Sequence, residues 1–115
     1  MYSMTRDEKL EHEVLKMCLR VGLGNPQKTK ASGQTRGDGD ITTDNFMFEC
    51  KYKSTKSLSL SLKDIDKAAF QALKQNKIPV MVRENEEGSI MVSMKMSDWE
   101  RLLSILEQTK GLDLF

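Results

Sequence analysis

The chain has 115 residues, enough for one domain with a modest core, and its 38% hydrophobic and 30% charged content is that of an ordinary globular protein. No apolar run approaches the roughly 20 residues of a membrane-spanning helix, and the polar first thirteen residues do not read as a secretory leader, so an intracellular protein is expected. A net charge of +1 excludes a nucleic-acid binder that works by overall charge. Two cysteines without CxxC spacing make neither a zinc site nor a disulfide framework, and Cys18 and Cys50 read as buried thiols.

Thr5-Arg6-Asp7-Glu8 has the form of a capping box. Leu10, Val14, Met17, Cys18 and Val21 follow at helical spacing, which predicts a first helix over about Arg6–Val21. Gly22 and Gly24 stop it, and Pro26 follows. Residues 25–39 form a polar loop rich in glycine and basic residues. A short strand is expected at Asp40–Thr43, with Asp44-Asn45 as a hairpin turn.

Phe46–Tyr52 is the clearest strand. Its period of two puts Phe46, Phe48, Cys50 and Tyr52 on one face and Met47, Glu49 and Lys51 on the other. A Ser/Lys-rich connection over 54–61 holds room for an extra short strand. A second helix is expected over Leu62–Asn76, with Leu62, Ile65, Ala69, Phe70 and Leu73 inward. Strands at Ile78–Arg83 and Ile90–Met96 then form a hairpin around Gly88. Ser97-Asp98-Trp99-Glu100 reads as another capping box, opening a third helix with Trp99, Leu102, Leu103 and Leu106 inward. The order is α-β-β-(β)-α-β-β-α, an α/β (α+β) mixed sheet flanked by helices in a single domain over 1–115.

Charge is unevenly placed: +4 over residues 28–77 against −3 over 78–115. A basic middle segment suits a phosphate-bearing partner. Within it, Glu49 sits mid-strand between aromatic residues, where a charge is normally avoided. Lys51 follows on the same face. With nine Glu and thirteen Lys, about one such ExK pair arises by chance. The bland alternative is the solvated face of an edge strand. Phosphodiester cleavage needs oxygen ligands for a hard cation, a positioned water and positive charge for the transition state. Asp40 and Glu49 are candidate ligands, the Cys50 carbonyl a further one, and Lys51 the candidate for the other two tasks. Asp38 competes with Asp40, and both fit ordinary turn chemistry. The only histidine, His12, reads as a surface helix residue.

The run Ser32-Gly33, Arg36-Gly37-Asp38-Gly39-Asp40-Ile41, then Phe48-Glu49-Cys50-Lys51 resembles the PD-(D/E)XK nuclease superfamily. It is most similar to small Holliday-junction resolvases of the archaeal and phage type. Gln71-Ala72 and Lys77-Ile78-Pro79-Val80 extend the likeness, which covers about residues 5–83. It implies a restriction-endonuclease-like core: helix, three-stranded meander, helix, strand. It implies Asp40 and Glu49 as metal ligands, Lys51 as the catalytic lysine, and a supporting glutamate from the first helix, Glu11 or alternatively Glu13. Gly39 replaces the proline of the family name. Ser32 would place substrate, and Gln71 is a weaker match.

The implied activity is a Mg²⁺- or Mn²⁺-dependent endonuclease acting on DNA, branched DNA in particular. Lys28, Lys30, Arg36, Lys53 and Lys56 would hold backbone phosphates. Symmetric cutting of two strands implies a homodimer, with helix 3 and the apolar tail as the exposed contact candidates. A restriction- or repair-type nuclease of the same superfamily is the alternative enzyme. A non-catalytic nucleic-acid-binding module of the same fold is the alternative of another class.

Overall fold

The computed structural model describes residues 3–29 and 40–109. Its elements run α1 (Arg6–Val21), β1 (Gln27–Lys28), β2 (Ile41–Thr42), β3 (Phe46–Tyr52), α2 (Leu62–Lys74), β4 (Ile78–Glu84), β5 (Ile90–Ser93) and α3 (Met96–Gln108). The expected mixed sheet flanked by helices is present. The extra strand anticipated near residues 55–61 is not; that stretch is coil, and the additional short strand is β1.

The five strands are ordered β1-β2-β3-β4-β5. β1, β2 and β3 form an antiparallel meander, α2 crosses over, and β4 returns parallel to β3. A parallel return needs a crossover of this kind, and α2 supplies it. β3 therefore lies at the centre of the sheet. Glu49 is paired to Met81 of β4 in this central strand and is not on an edge strand.

α1 begins at the capping box: the Thr5 hydroxyl accepts from Glu8 N–H at 3.1 Å, and Thr5 N–H donates to Glu8 Oε1 at 2.9 Å. Gly22 closes it with φ 77°, a left-handed turn that suits glycine. Leu10, Val14 and Cys18, spaced by four, lie on Phe48, Cys50, Val80 and Val82 to make the core. Each fully buried aliphatic side chain there is worth about 1.5–3 kcal/mol.

α2 corrects the expected burial. Its buried residues are Ala68 and Ala72, while Leu62, Phe70 and Leu73 are exposed. Alanines let the helix backbone approach β4 closely, and the bulkier stripe turns outward. α3 differs as well. It starts at Met96, because Asp98 and Trp99 N–H donate to the Lys95 carbonyl, and no side chain caps it. The anticipated Ser97–Glu100 box is thus already inside the helix. No α3 residue is buried, and Trp99 is exposed rather than inward. No helix among the described residues is long and apolar enough to cross a membrane.

Candidate active site

β3 outruns its antiparallel partner. β2 ends its register at Ile41 opposite Phe48, so beyond Phe48 no strand among the described residues pairs with the β2 side of β3. Unpaired backbone groups inside a protein need partners, and two carboxylates provide them. Asp40 Oδ2 accepts from Cys50 N–H at 2.7 Å, and Asp7 Oδ1 accepts from Tyr52 N–H at 2.7 Å. Asp40 is held in turn by its own N–H, which donates to the Phe48 carbonyl at 2.9 Å. The hairpin turn and the strand edge together deliver Asp40 to the start of Cys50. Strand geometry aims the Cys50 carbonyl to the same edge as its N–H.

The surroundings of Asp40 are acidic. Burial pushes its carboxyl up to about 6; the Cys50 N–H counteracts, and the charges of Glu11, Glu49 and Asp7 raise it further. Burial and the nearby Asp40 charge likewise push the Cys50 thiol up, and burial raises Cys18. Both cysteines are buried and unpaired, as their sequence setting implied.

Glu49 projects to the α2 face, where it meets Arg83. The Arg83 Nη2 donates to Glu49 Oε1 at 2.8 Å, and Nη1 donates to the Glu49 and Val82 carbonyls, each at 3.1 Å. Asp64 Oδ2 lies 3.8 Å from the same guanidinium. Arg83 is 1% exposed, the most buried charge in the described chain, and its Nε has no partner. Sequence reading placed Arg83 only as a strand end. The signal was available: an arginine closing the apolar run Ile78–Val82 is as anomalous as a glutamate following Phe46-Met47-Phe48.

The remaining candidates divide. Glu11 is part-buried, faces the Asp40 neighbourhood, and pairs with Lys28 at 3.2 Å. Glu13 instead pairs with Lys16 on the solvent side of α1, which favours Glu11 as the supporting residue. Lys51 is exposed and makes no hydrogen bond or ion pair with any described residue. Lys53 donates to the Ser59 carbonyl at 2.9 Å, tying the 53–61 connection to β3. Lys56 is exposed, Gln71 is half-buried on α2, and His12 is exposed. Lys30, Ser32, Arg36 and Asp38 lie outside the described residues.

No protein-family model, curated protein or solved structure matches the chain.

The donors around β3 are hard oxygens: carboxylates of Asp40, Glu49 and Glu11, and the Cys50 carbonyl. This is the set a Mg²⁺-like cation prefers. In the present arrangement no three His, Cys, Asp or Glu side chains among the described residues converge tightly enough to share an ion. Two of these carboxylates are engaged by cations: Arg83 donates to Glu49 Oε1, and Lys28 pairs with Glu11. Asp40 Oδ1 and Glu49 Oε2 accept no hydrogen bond from a described residue. Each acid therefore keeps an oxygen for a ligand, and at Asp40 burial first, and the neighbouring acids after it, disfavour the bare carboxylate.

Proposed function

We propose that the chain is a Mg²⁺- or Mn²⁺-dependent endonuclease whose site is Asp40, Glu49, Lys51 and the Cys50 carbonyl, supported by Glu11. The observation that carries this is the part-buried carboxyl of Asp40 capping Cys50 N–H where β2 ends, with other acids nearby and its pKa raised to about 6. A carboxyl whose pKa is raised by burial and by nearby acids marks a candidate functional site. Lys51 adds an exposed ammonium on the Glu49 face of the same strand, one that pairs with no described side chain. The chain order of helix, three-stranded meander, crossover helix and parallel strand agrees with the nuclease core implied by the sequence motifs.

A divalent cation held there would supply charge neutralisation at the scissile phosphate and polarisation of an attacking water. Asp40 and Glu49 are its carboxylate ligands, with the Cys50 carbonyl beside them. Lys51 orients the nucleophile and offsets charge on the phosphoryl oxygens in the transition state. Lys28 and Lys56 contribute to backbone contacts, joined by Lys30 and Arg36 of the glycine-rich loop. The substrate is DNA, branched DNA first among its forms, and the acting species is a homodimer.

The test is a panel of labelled four-way junction, flap and linear duplex, each with Mg²⁺, with Mn²⁺ and with EDTA. Divalent-dependent cutting of the junction is expected. Sequence-specific cutting of linear duplex identifies a restriction-type enzyme instead, and cutting of none overturns the enzyme reading. One observation favours a non-catalytic DNA-binding module of this fold: the ion pairs that engage Glu49 and Glu11. That reading expects salt-dependent junction binding without cleavage.

A further inference from the structure

β5 closes the sheet with an edge that native proteins normally guard. Exposed edge strands are kept from pairing by charge, proline or a covering element. Ile90-Met91-Val92-Ser93 has no charge and no proline. Its three apolar residues are 49%, 52% and 60% exposed. No backbone group of Ile90–Ser93 pairs with any described segment other than β4.

The ladder to β4 says which groups are free. Asn85 N–H donates to the Ser89 carbonyl, and the register sets Arg83 opposite Met91 and Met81 opposite Ser93. Hydrogen-bonded and non-bonded pairs alternate in an antiparallel ladder. Ser89, Met91 and Ser93 therefore turn their backbone groups to β4, and Ile90 and Val92 turn theirs outward. A second copy can use those groups about a twofold axis through Met91. Ile90 of one protomer then bonds to the partner's Val92, and Val92 to the partner's Ile90.

We propose that β5 is the interface between two copies of this chain, paired antiparallel in this register. The same register decides the occupant by charge. It brings the acidic turn Glu86–Glu87 of one protomer toward the Lys95 end of the other, twice; within its own chain the half-exposed Lys95 ammonium lies 3.7 Å from the exposed Asp66 carboxylate, an ion pair that solvent leaves weak. Parallel or out-of-register pairing loses that match. On the α1 face, Ile90 and Val92 border a groove of about 200 Å³ with Leu10, Val14 and Met17. The paired strand extends this apolar floor. The resulting sheet has ten strands, with the two β3 sites five strand spacings apart, about 24 Å. The existence of a dimer belongs to the nuclease reading above, but this surface rests on the strand edge alone.

The experiment is sedimentation of the full chain with four variants, each checked for fold by circular dichroism. Wild type is expected to sediment as a dimer. Val92→Lys, at an exposed position, raises the dimer dissociation constant at least tenfold. Glu87→Lys and Lys95→Glu each weaken dimerisation, and the double reversal restores it to within about threefold of wild type. Met91→Cys cross-links across the axis under mild oxidant, whereas the wild type, with both thiols buried, does not. A wild-type monomer at 100 µM order of concentration, a dimer indifferent to Val92→Lys, a double reversal without rescue, or a dimer in which Met91→Cys fails to cross-link overturns the proposal. A monomer that still cuts DNA removes the surface and leaves the nuclease reading intact; a dimer of this register that cuts nothing does the reverse.

Discussion

Asp40→Asn, made in protein stripped of divalent ions, changes one charge and almost no shape. The asparagine oxygen can still accept from Cys50 N–H, so the strand edge stays capped. What disappears is a carboxylate that the fold resists: its pKa stands at about 6 against an ordinary value of 3.8. A shift of two units is about 3 kcal/mol. The side chain is only part-buried, and screening by solvent cuts this to about 1.5 kcal/mol. Between about pH 4 and pH 6 the folded chain holds a proton at Asp40 that the unfolded chain has lost. Stability from this group is complete below about pH 4 and falls as pH rises through 6. Asp40→Asn should thus be more stable than wild type by about 1.5 kcal/mol at pH 7.5, and equal to it at pH 4. Urea unfolding in EDTA at the two pH values measures this. Mg²⁺ should reverse the order, since an ion at a hundred times its Kd adds about 2.7 kcal/mol to wild type alone. An Asn variant less stable at pH 7.5, or a difference independent of pH, would refute the electrostatic account of the site.

Arg83→Met leaves Glu49 without its partner and should cost about 3–5 kcal/mol in chemical unfolding, because a buried pair is broken from one side. Adding Glu49→Gln to it should recover part of that loss, which a double-mutant cycle reads directly. Lys51→Met should change stability by no more than about 0.5 kcal/mol, as an exposed substitution, yet reduce junction cleavage about a hundredfold or more in single-turnover assays. Cys50 should resist alkylation in the folded protein at pH 8 and react at an ordinary rate once unfolded, because burial and the Asp40 charge both hold its thiol protonated. Rapid labelling of native Cys50 would contradict that environment.

Much of this architecture was legible in the residues. The Thr5–Glu8 box and Gly22 marked both ends of α1 because local hydrogen bonds and a left-handed turn decide helix ends. The alternation in Phe46–Tyr52 placed Glu49 and Lys51 on one face because side-chain direction in a strand follows a period of two. Periodicity was a poor guide where tertiary contact chose between two apolar stripes. In α2 both the Leu62/Phe70/Leu73 stripe and the alanine stripe are apolar, and close approach to β4 selected the smaller side chains. The α3 start lies two residues before the Ser97 box because the helix opens on the Lys95 carbonyl with no side-chain cap. Arg83 was overlooked as part of the site because its partner is 34 residues away across a parallel strand pair, a distance no local pattern reports. Asp7 was missed for the same reason, reaching Tyr52 from 45 residues away.

The proposed nuclease site stands or falls on whether Asp40 and Glu49 hold a divalent cation. Mn²⁺ titration followed by electron paramagnetic resonance tests it without reference to any substrate. One Mn²⁺ per chain is expected, weakened at least tenfold by Asp40→Asn and by Glu49→Gln and unchanged by Glu13→Gln. A protein that binds no Mn²⁺, or binds it equally well without the Asp40 carboxylate, would contradict the claim.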